Sequence, residues 1–323
     1  MLTLIWGIPT DTPIAWVYDE LDRIGAPVWL LDQRDVLETA IELDAETAAG
    51  WITAGDRRLN LADVTAAYVR PYDARQLPRI AAAGPGSTDW EHAIAADEAI
   101  SCWLELTDAL VVNPLSAMAG NGSKPWQLKR IAAAGFAVPE TLVTTGPESA
   151  RGYWDHYGEV IYKSVSGVRS QVARLRPPDA ARLDDVTNCP TQFQRYIPGT
   201  DVRVHVVGRQ VFATEIVSDA DDYRYPADQG AGWPELRPRV LPPDVEQRCQ
   251  RLAGALDLLV AGIDLRVTPE GDWYCFEVNP SPAFSYYESA TSQPIAHAIA
   301  CLLVAAGLVR AHSRHQPVRA THR

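Results

Sequence analysis

The sequence predicts an α/β chain whose second half is α+β. Three observations predict this. Short apolar strands alternate with helix-like segments over the first 110 residues. Strand-like runs then crowd together between residues 137 and 217. Two further β-rich runs, Ala261–Thr268 and Trp273–Val278, flank the turn residues Pro269–Asp272. Strands alternating with helices favour a parallel sheet, whereas strands joined by short turns favour an antiparallel one.

Leu2–Trp6 is an apolar run suited to a buried strand, and Ile14–Ile24 is helix-like up to Gly25. Pro27–Leu31 and Ala66–Arg70 read as further strands. Trp90–Leu110 places apolar residues at helical spacing, and Leu110–Asn113 is a short strand ended by Pro114. Ser123 offers a helix N-cap, Pro125 suits the first turn and Gly135 suits the stop. Lys124 then sits at the positive end of that helix, against the macrodipole. An anion bound at the helix N-terminus would remove the conflict. Leu142–Thr144, Glu159–Lys163, Gln171–Leu175 and Thr191–Ile197 read as strands. The loop SVSGVRS, from Ser164 to Ser170, lies among them and holds one glycine, Gly167. Val202–Val207 and Val211–Val217 flank a turn at Gly208. A polar segment from Ser218 to Trp233 follows, then a helix over 244–258 and a last helix over 294–306. The expected organisation is an N-terminal α/β domain at 1–115, a middle subdomain at 116–193, a C-terminal subdomain at 194–310 and a flexible basic tail at 311–323.

Composition excludes several functions. A net charge of −12 argues against a general nucleic-acid binder, which needs basic patches to displace counterions. Without a run of 18 apolar residues, no membrane span is expected. The N-terminus lacks the basic and apolar regions of a signal peptide. Five cysteines, odd in number and widely spaced, suit free thiols in a reducing cytoplasm. Of the 29 basic residues only Lys124, Lys129 and Lys163 are lysines. In so lysine-poor a chain, a retained lysine marks a place where a compact ammonium matters, or else a surface remnant.

The two β-rich runs carry the sharpest local argument. A symmetric turn of two or four residues sets Asp264 directly opposite Glu277. Opposed side chains have β-carbons about 4.5–5.5 Å apart, where like charges repel. Asn279, two residues further, shares the Glu277 face. Converging oxygens of this kind suit Mg²⁺, which keeps waters and phosphate oxygens as its other ligands. The competing reading turns one carboxylate to solvent through a bulge.

GIDLRV followed at this distance by EVNPSP resembles the C-terminal metal motif of ATP-grasp ligases. SKPWQLKRIAAAGFAVPET, VIYKSVSG and FQRYIPGTDVRVHVVG resemble further family segments in the expected order, from about residue 110 to 306. The nearest branch contains the ribosomal-protein-S6 glutamate ligase and glutathione synthetase, with the ATP-grasp maturases of ribosomal peptides also similar. The first 110 residues resemble only a generic pre-ATP-grasp domain.

The resemblance implies an ATP-grasp fold with an N-terminal α/β domain. It implies that Lys124 and Lys163 hold ATP phosphates, with Ser164, Gly167 and their loop folding over them. Gln194, Arg195, Tyr196 and Ile197 would form the hinge that reads adenine, with Asp201 near the ribose. Arg203 would reach the transferred phosphate. Asp264, Glu277 and Asn279 would bind Mg²⁺, Mn²⁺ being the other candidate. The loop has a single glycine where many relatives are glycine-rich, and Gln194 stands where Glu is common.

Other residues admit two readings. Arg70 ends a predicted strand, where open α/β sheets bind ligands, and is either a carboxylate holder or structural. Arg224 and Tyr225, with Tyr223, lie in a long segment suited to substrate contact. Arg266 shares the Asp264 face, either pairing with Glu277 or reaching an acyl-phosphate. Ser281 is a candidate substrate contact, with no base placed to activate it as a nucleophile. Glu288 reads as a cap or a solvated residue, and His205 as a structural partner. The expected activity is an ATP- and Mg²⁺-dependent carboxylate–amine ligase acting on an amino acid or peptide. The rivals are a maturase forming side-chain ester or amide crosslinks and a non-catalytic nucleotide-binding regulator. A homo-oligomer is a further expectation.

Overall fold

The computed structural model describes residues 2–119, 123–165, 172–218, 220, 223–227 and 232–314, the last six as backbone only. Four sheets organise them. The first is parallel and contains β1 (Leu2–Gly7), β2 (Val28–Asp32), β6 (Val64–Arg70) and β7 (Leu110–Val112) in the order β2-β1-β6-β7. Its strands read as near-continuous apolar runs because both faces are covered. Ile5, Ala66 and Tyr68 pack with α1 (Thr12–Arg23) and α9 (Ile295–Arg314), whereas Leu4, Ala67 and Val69 pack with α3 (Thr88–Leu106). The last helix therefore closes back on the first sheet.

An antiparallel meander of β3 (Thr39–Leu43), β4 (Gly50–Ala54) and β5 (Arg57–Asn60) is inserted between β2 and β6. The sequence reading left this stretch unassigned. Two short helices, α2 (Pro78–Ala83) and α4 (Leu115–Met118), flank α3.

The second sheet has the order β10-β9-β11-β8: β8 (Thr141–Thr144), β9 (Val160–Ser164), β10 (Ala173–Arg174) and β11 (Thr191–Arg195). Period-two alternation divides its faces. Leu142, Val160, Tyr162 and Phe193 pack under α6 (Pro147–Tyr157) and a 3₁₀ stretch at Pro177–Asn188. Lys163 pairs with Gln192, and Ile161 with Gln194, on the opposite face. Of the loop over 164–170, residues 166–170, including Gly167, lie outside the described residues.

The third sheet runs β14-β13-β12-β15-β16, from β12 (Thr200–Val207), β13 (Gln210–Val217), β14 (Glu235–Arg239), β15 (Val260–Val267) and β16 (Trp273–Asn279). Val202, Val204, Val206, Ala261, Ile263, Leu265 and Val278 face a core made with α5 (Lys124–Ala133) and α7 (Pro243–Ala255). The same alternation leaves Asp201, Arg203 and His205, then Gly262, Asp264 and Arg266, on the other face. α8 (Ser285–Thr291) follows β16.

Three expectations are corrected by these elements. The hairpin turn is neither of the symmetric forms: Thr268 donates to the Asp272 carbonyl at 2.9 Å and Gly271 to the Thr268 carbonyl at 3.0 Å. Gly271 takes φ +94°, a conformation that favours glycine. Leu265 consequently pairs with Cys275, and Phe276 is an extra residue before Asp264 meets Glu277. The last helix runs to Arg314 rather than ending at Ala306. Ser123 occupies the N-cap position of α5 but makes no side-chain cap bond.

Candidate functional site

The polar faces of the second and third sheets meet across a cleft. Ile161, Lys163 and Gln194 line one wall, and Asp201, Asp264, Arg266 and Glu277 the other. Tyr196 stands at the junction, while Tyr223 and Arg224 close one side.

Lys163 is only 6% exposed, and burial pushes its ammonium down to about 8, against the opposing pull of Glu277. Lys124, 7% exposed at the first turn of α5, adds its charge to the same space. Lys129 is exposed on the same helix. The lysine count thus separates into two buried ammoniums near the carboxylates and one at the surface.

Asp264 and Glu277 are direct cross-strand partners. Asp264 Oδ1 accepts from Arg203 Nη1 at 2.6 Å. Arg203 is 6% exposed; burial opposes its charge, and the Asp264 carboxylate together with Tyr287 and Tyr223 more than offsets this, so its pKa is raised. His205, fully buried two residues on, is held neutral by desolvation and then by the Arg203 charge. Its ring lies 5.0 Å from that of Tyr287, whose hydroxyl meets the Tyr223 hydroxyl at 2.8 Å.

Arg266 does not pair with Glu277. It grips Asp201 at 2.7 and 2.9 Å and donates to the Ile197 carbonyl at 2.8 Å. Register explains this, because Arg266 is opposite Asp201, two pairs along from Arg203 and Asp264. Arg195 turns out to Glu140 and Tyr274, and the Tyr196 amide donates to the Glu159 carbonyl. Gln194, fully buried, donates to Thr141 Oγ1 at 2.9 Å. Ser164 ends β9 one residue beyond Lys163.

Asn279 pairs across from Gly262, and its Oδ1 accepts the Ser281 amide at 2.9 Å. Ser281 Oγ accepts from Arg70, which also binds Asp11 at 2.6 Å and the Pro282 carbonyl at 3.1 Å. Arg70 and Ser281 therefore touch each other at the junction of the first and third sheets. Arg224 stands over Tyr225 at 5.8 Å, and only Arg224 of that pair lines the cleft. Glu288 caps the last helix through the Ala296 amide at 2.8 Å.

Two positioning residues escaped the sequence reading. Asn113 donates to the Val260 and Pro280 carbonyls, both at 2.6 Å, and accepts from the Leu259 and Val260 amides. It ties the end of β7 to the loop after Asn279. Gln127 bonds both polar groups of Val278, fixing α5 and its Lys124 beside Glu277. A polar residue one helical turn beyond Lys124 was the only available signal for Gln127.

Among the described residues no cluster of three or more His, Cys, Asp or Glu side chains is placed to hold a metal. The candidate set is two carboxylates and an amide. Its hard oxygens suit Mg²⁺ with open positions, since Asp264 keeps a second oxygen and the Asn279 oxygen a second lone pair.

Two sheets enclosing a cleft of lysines and paired carboxylates define an ATP-grasp architecture. The model of the RimK-like ATP-grasp domain matches residues 123–303, and the chain belongs to that family. The chain is 25% identical over 209 residues to N-acetylaspartylglutamate synthase A of Homo sapiens, covering 61% of this chain and 53% of that protein. It thus spans about half the length of the curated relatives it matches. The ATP-grasp ligase PsnB, solved with a phosphomimetic variant of its minimal precursor, Mg and ADP, superposes with a TM-score of 0.79 at 26% identity, over 94% of this chain and 98% of PsnB. The macrocyclase MdnC of Microcystis aeruginosa MRC, bound to the precursor peptide MdnA, shares the fold with a TM-score of 0.80 at 24% identity, over 94% and 100%. No single helix among the described residues is long and apolar enough to cross a membrane.

Proposed function

We propose that this chain is an ATP- and Mg²⁺-dependent ligase that activates a carboxylate as an acyl-phosphate and passes it to a nucleophile, releasing ADP and phosphate. The observation that carries this reading is the facing of buried Lys163 with Asp264 and Glu277 in one cleft, with buried Arg203 bonded to Asp264. Phosphoryl transfer needs positioning and charge neutralisation more than covalent protein chemistry.

Lys124 and Lys163 hold the phosphates from the α5 side and the β9 side. Arg203 stabilises charge on the transferred phosphoryl group. Arg266 fixes Asp201 and the hinge at Ile197, so that the base and ribose ends of the nucleotide meet a rigid wall. Asp264, Glu277 and Asn279 would hold Mg²⁺, which would supply charge that neutralises the phosphates; Mn²⁺ suits the same oxygen donors. Closure of the second sheet over the third excludes water from the activated carboxylate. Arg70, Ser281, Arg224 and Tyr225 are the residues we assign to the substrate side.

The substrate is proposed to be a peptide. PsnB, similar over nearly its whole length, was solved with a precursor peptide, which supports this over a free amino acid. Side-chain ester or amide formation within that peptide is the corresponding reaction. The likeness to N-acetylaspartylglutamate synthase A favours the second reading, ligation of an amino acid. The test is ADP release from Mg-ATP with a panel of free amino acids and acidic peptides bearing Thr or Lys. Release driven only by peptides supports the first reading, and release driven by amino acids the second. No release under any condition, with Mg-ATP still bound, would leave a nucleotide-binding regulator.

A further inference from the structure

We infer that Gly262 is a positioning residue: its missing side chain forms the slot in which the Arg203 guanidinium lies to reach Asp264. The slot is a matter of geometry; its effect on turnover rests on the ligase reading above.

Glycine within a strand weakens it and often marks the close approach of another group. Gly262 stands third in the eight-residue β15, between His205 on β12 and Asn279 on β16. Its φ is not among the positive values of the chain, so space and not backbone conformation is what requires glycine. A β-carbon built there would lie 2.1 Å from Arg203 Nη2, 2.7 Å from Arg203 Cζ and 2.7 Å from Pro282 Cβ. Side chains do not approach so closely; one neighbour would have to move.

The Pro282 side is fixed. The Pro282 carbonyl is bound by Arg70 at 3.1 Å, and the Pro280 carbonyl by Asn113 at 2.6 Å. Arg203 is the end of a flexible side chain and is the group that yields. Tyr287 lies 5.7 Å from its guanidinium, and Asp264 bonds it at 2.6 Å. An alanine at 262 therefore drives the guanidinium off the carboxylate that aims it, and it also presses on Pro282.

The experiment is a cycle of Gly262→Ala, Arg203→Lys and the double variant, read by turnover and by thermal unfolding midpoint. Misplacing a catalytic group by about 1 Å costs on the order of a hundredfold. Gly262→Ala is expected to lower kcat by about that factor with KM for ATP changed by less than about threefold. Arg203→Lys removes the Nη2 atom that the new β-carbon strikes. Adding Gly262→Ala to it should then lower kcat by a clearly smaller factor than in the parent, the 2.7 Å contact with Pro282 alone remaining, a departure from additivity that coupled neighbours show. The midpoints should follow the same pattern, measured without substrate. If Gly262→Ala alone does not fold, the double variant should fold. Additive effects in the cycle, a Gly262→Ala kcat within about threefold of the parent, or a double variant that also fails to fold, would each overturn the slot. If the parent releases no ADP, the ligase reading falls and the thermal cycle alone decides the slot.

Discussion

Asp264 faces Glu277 only because Phe276 is an extra residue in β16. The turn sets Leu265 opposite Cys275, a register that would place Phe276 across from Asp264. The bulge shifts the pairing by one and turns Glu277 onto the Asp264 face, where Lys163 feels both carboxylates and Arg203 bonds Asp264. Opposed carboxylates are unfavourable alone, so their retention points to cations shared between them. Asp264→Asn combined with Glu277→Gln should abolish ADP release while the circular-dichroism spectrum and cooperative unfolding persist. Full activity in that variant would show the metal site to be elsewhere.

The lysines make a second test. Lys163 is buried near Glu277 and Lys124, and a planar guanidinium does not replace a compact ammonium at such a site. Lys163→Arg should remain inactive although its charge is kept, with ADP affinity reduced by titration calorimetry. Lys129→Arg, at an exposed helix position, should match the parent in both measurements. Equal activity of the two variants would contradict the assignment.

Asn113 makes four hydrogen bonds between the first and third sheets. Asp at this position cannot donate, and two carbonyls would then face a buried carboxylate. Each such loss costs about 1–3 kcal/mol, so Asn113→Asp should lower stability by at least about 3 kcal/mol in denaturant unfolding. A change below about 1 kcal/mol would mean that the junction is held by other contacts.

Asp97 gives a pH signature away from the cleft. Burial raises its carboxyl from 3.8 to about 6, with Gln33 donating to it at 3.4 Å. Because the folded pKa lies above the unfolded one, the folded chain binds more protons between these values. Stability from this group is therefore present below about pH 4 and lost as pH rises through about 6. Asp97→Asn keeps an acceptor for Gln33 and removes the charge, so its unfolding midpoint should exceed the parent's at pH 7. The difference should shrink as pH falls towards 4, and a lower midpoint at pH 7 would contradict the burial argument.

The sequence made the carboxylate pair legible because side-chain period and a short hairpin are local. It placed the pair correctly by a turn that does not occur, since neither the three-residue turn nor the bulge at Phe276 leaves a pattern in single residues. Arg266 was placed on the right face, and of its two readings the pairing with Glu277 does not occur, because register across β12 and β15 joins residues 65 apart. Asn113, Gln127 and Gly262 act through contacts more than 50 residues away and carried no local signature. The β3–β5 meander was missed because its five-, five- and four-residue strands bury only alternate or isolated positions. The residues assigned to the cleft were recognised through resemblance, and their arrangement through the alternation that sorts valines from charges on β12.

The central claim is that a substrate carboxylate is phosphorylated in the cleft between Lys163 and Arg203. The most direct measurement uses a peptide substrate carrying ¹⁸O in its carboxylates, with Mg-ATP, followed by mass spectrometry of the released phosphate. Passage through an acyl-phosphate leaves one carboxylate oxygen on phosphate for each bond formed, and this label is the predicted result. Product formation with unlabelled phosphate would contradict the account.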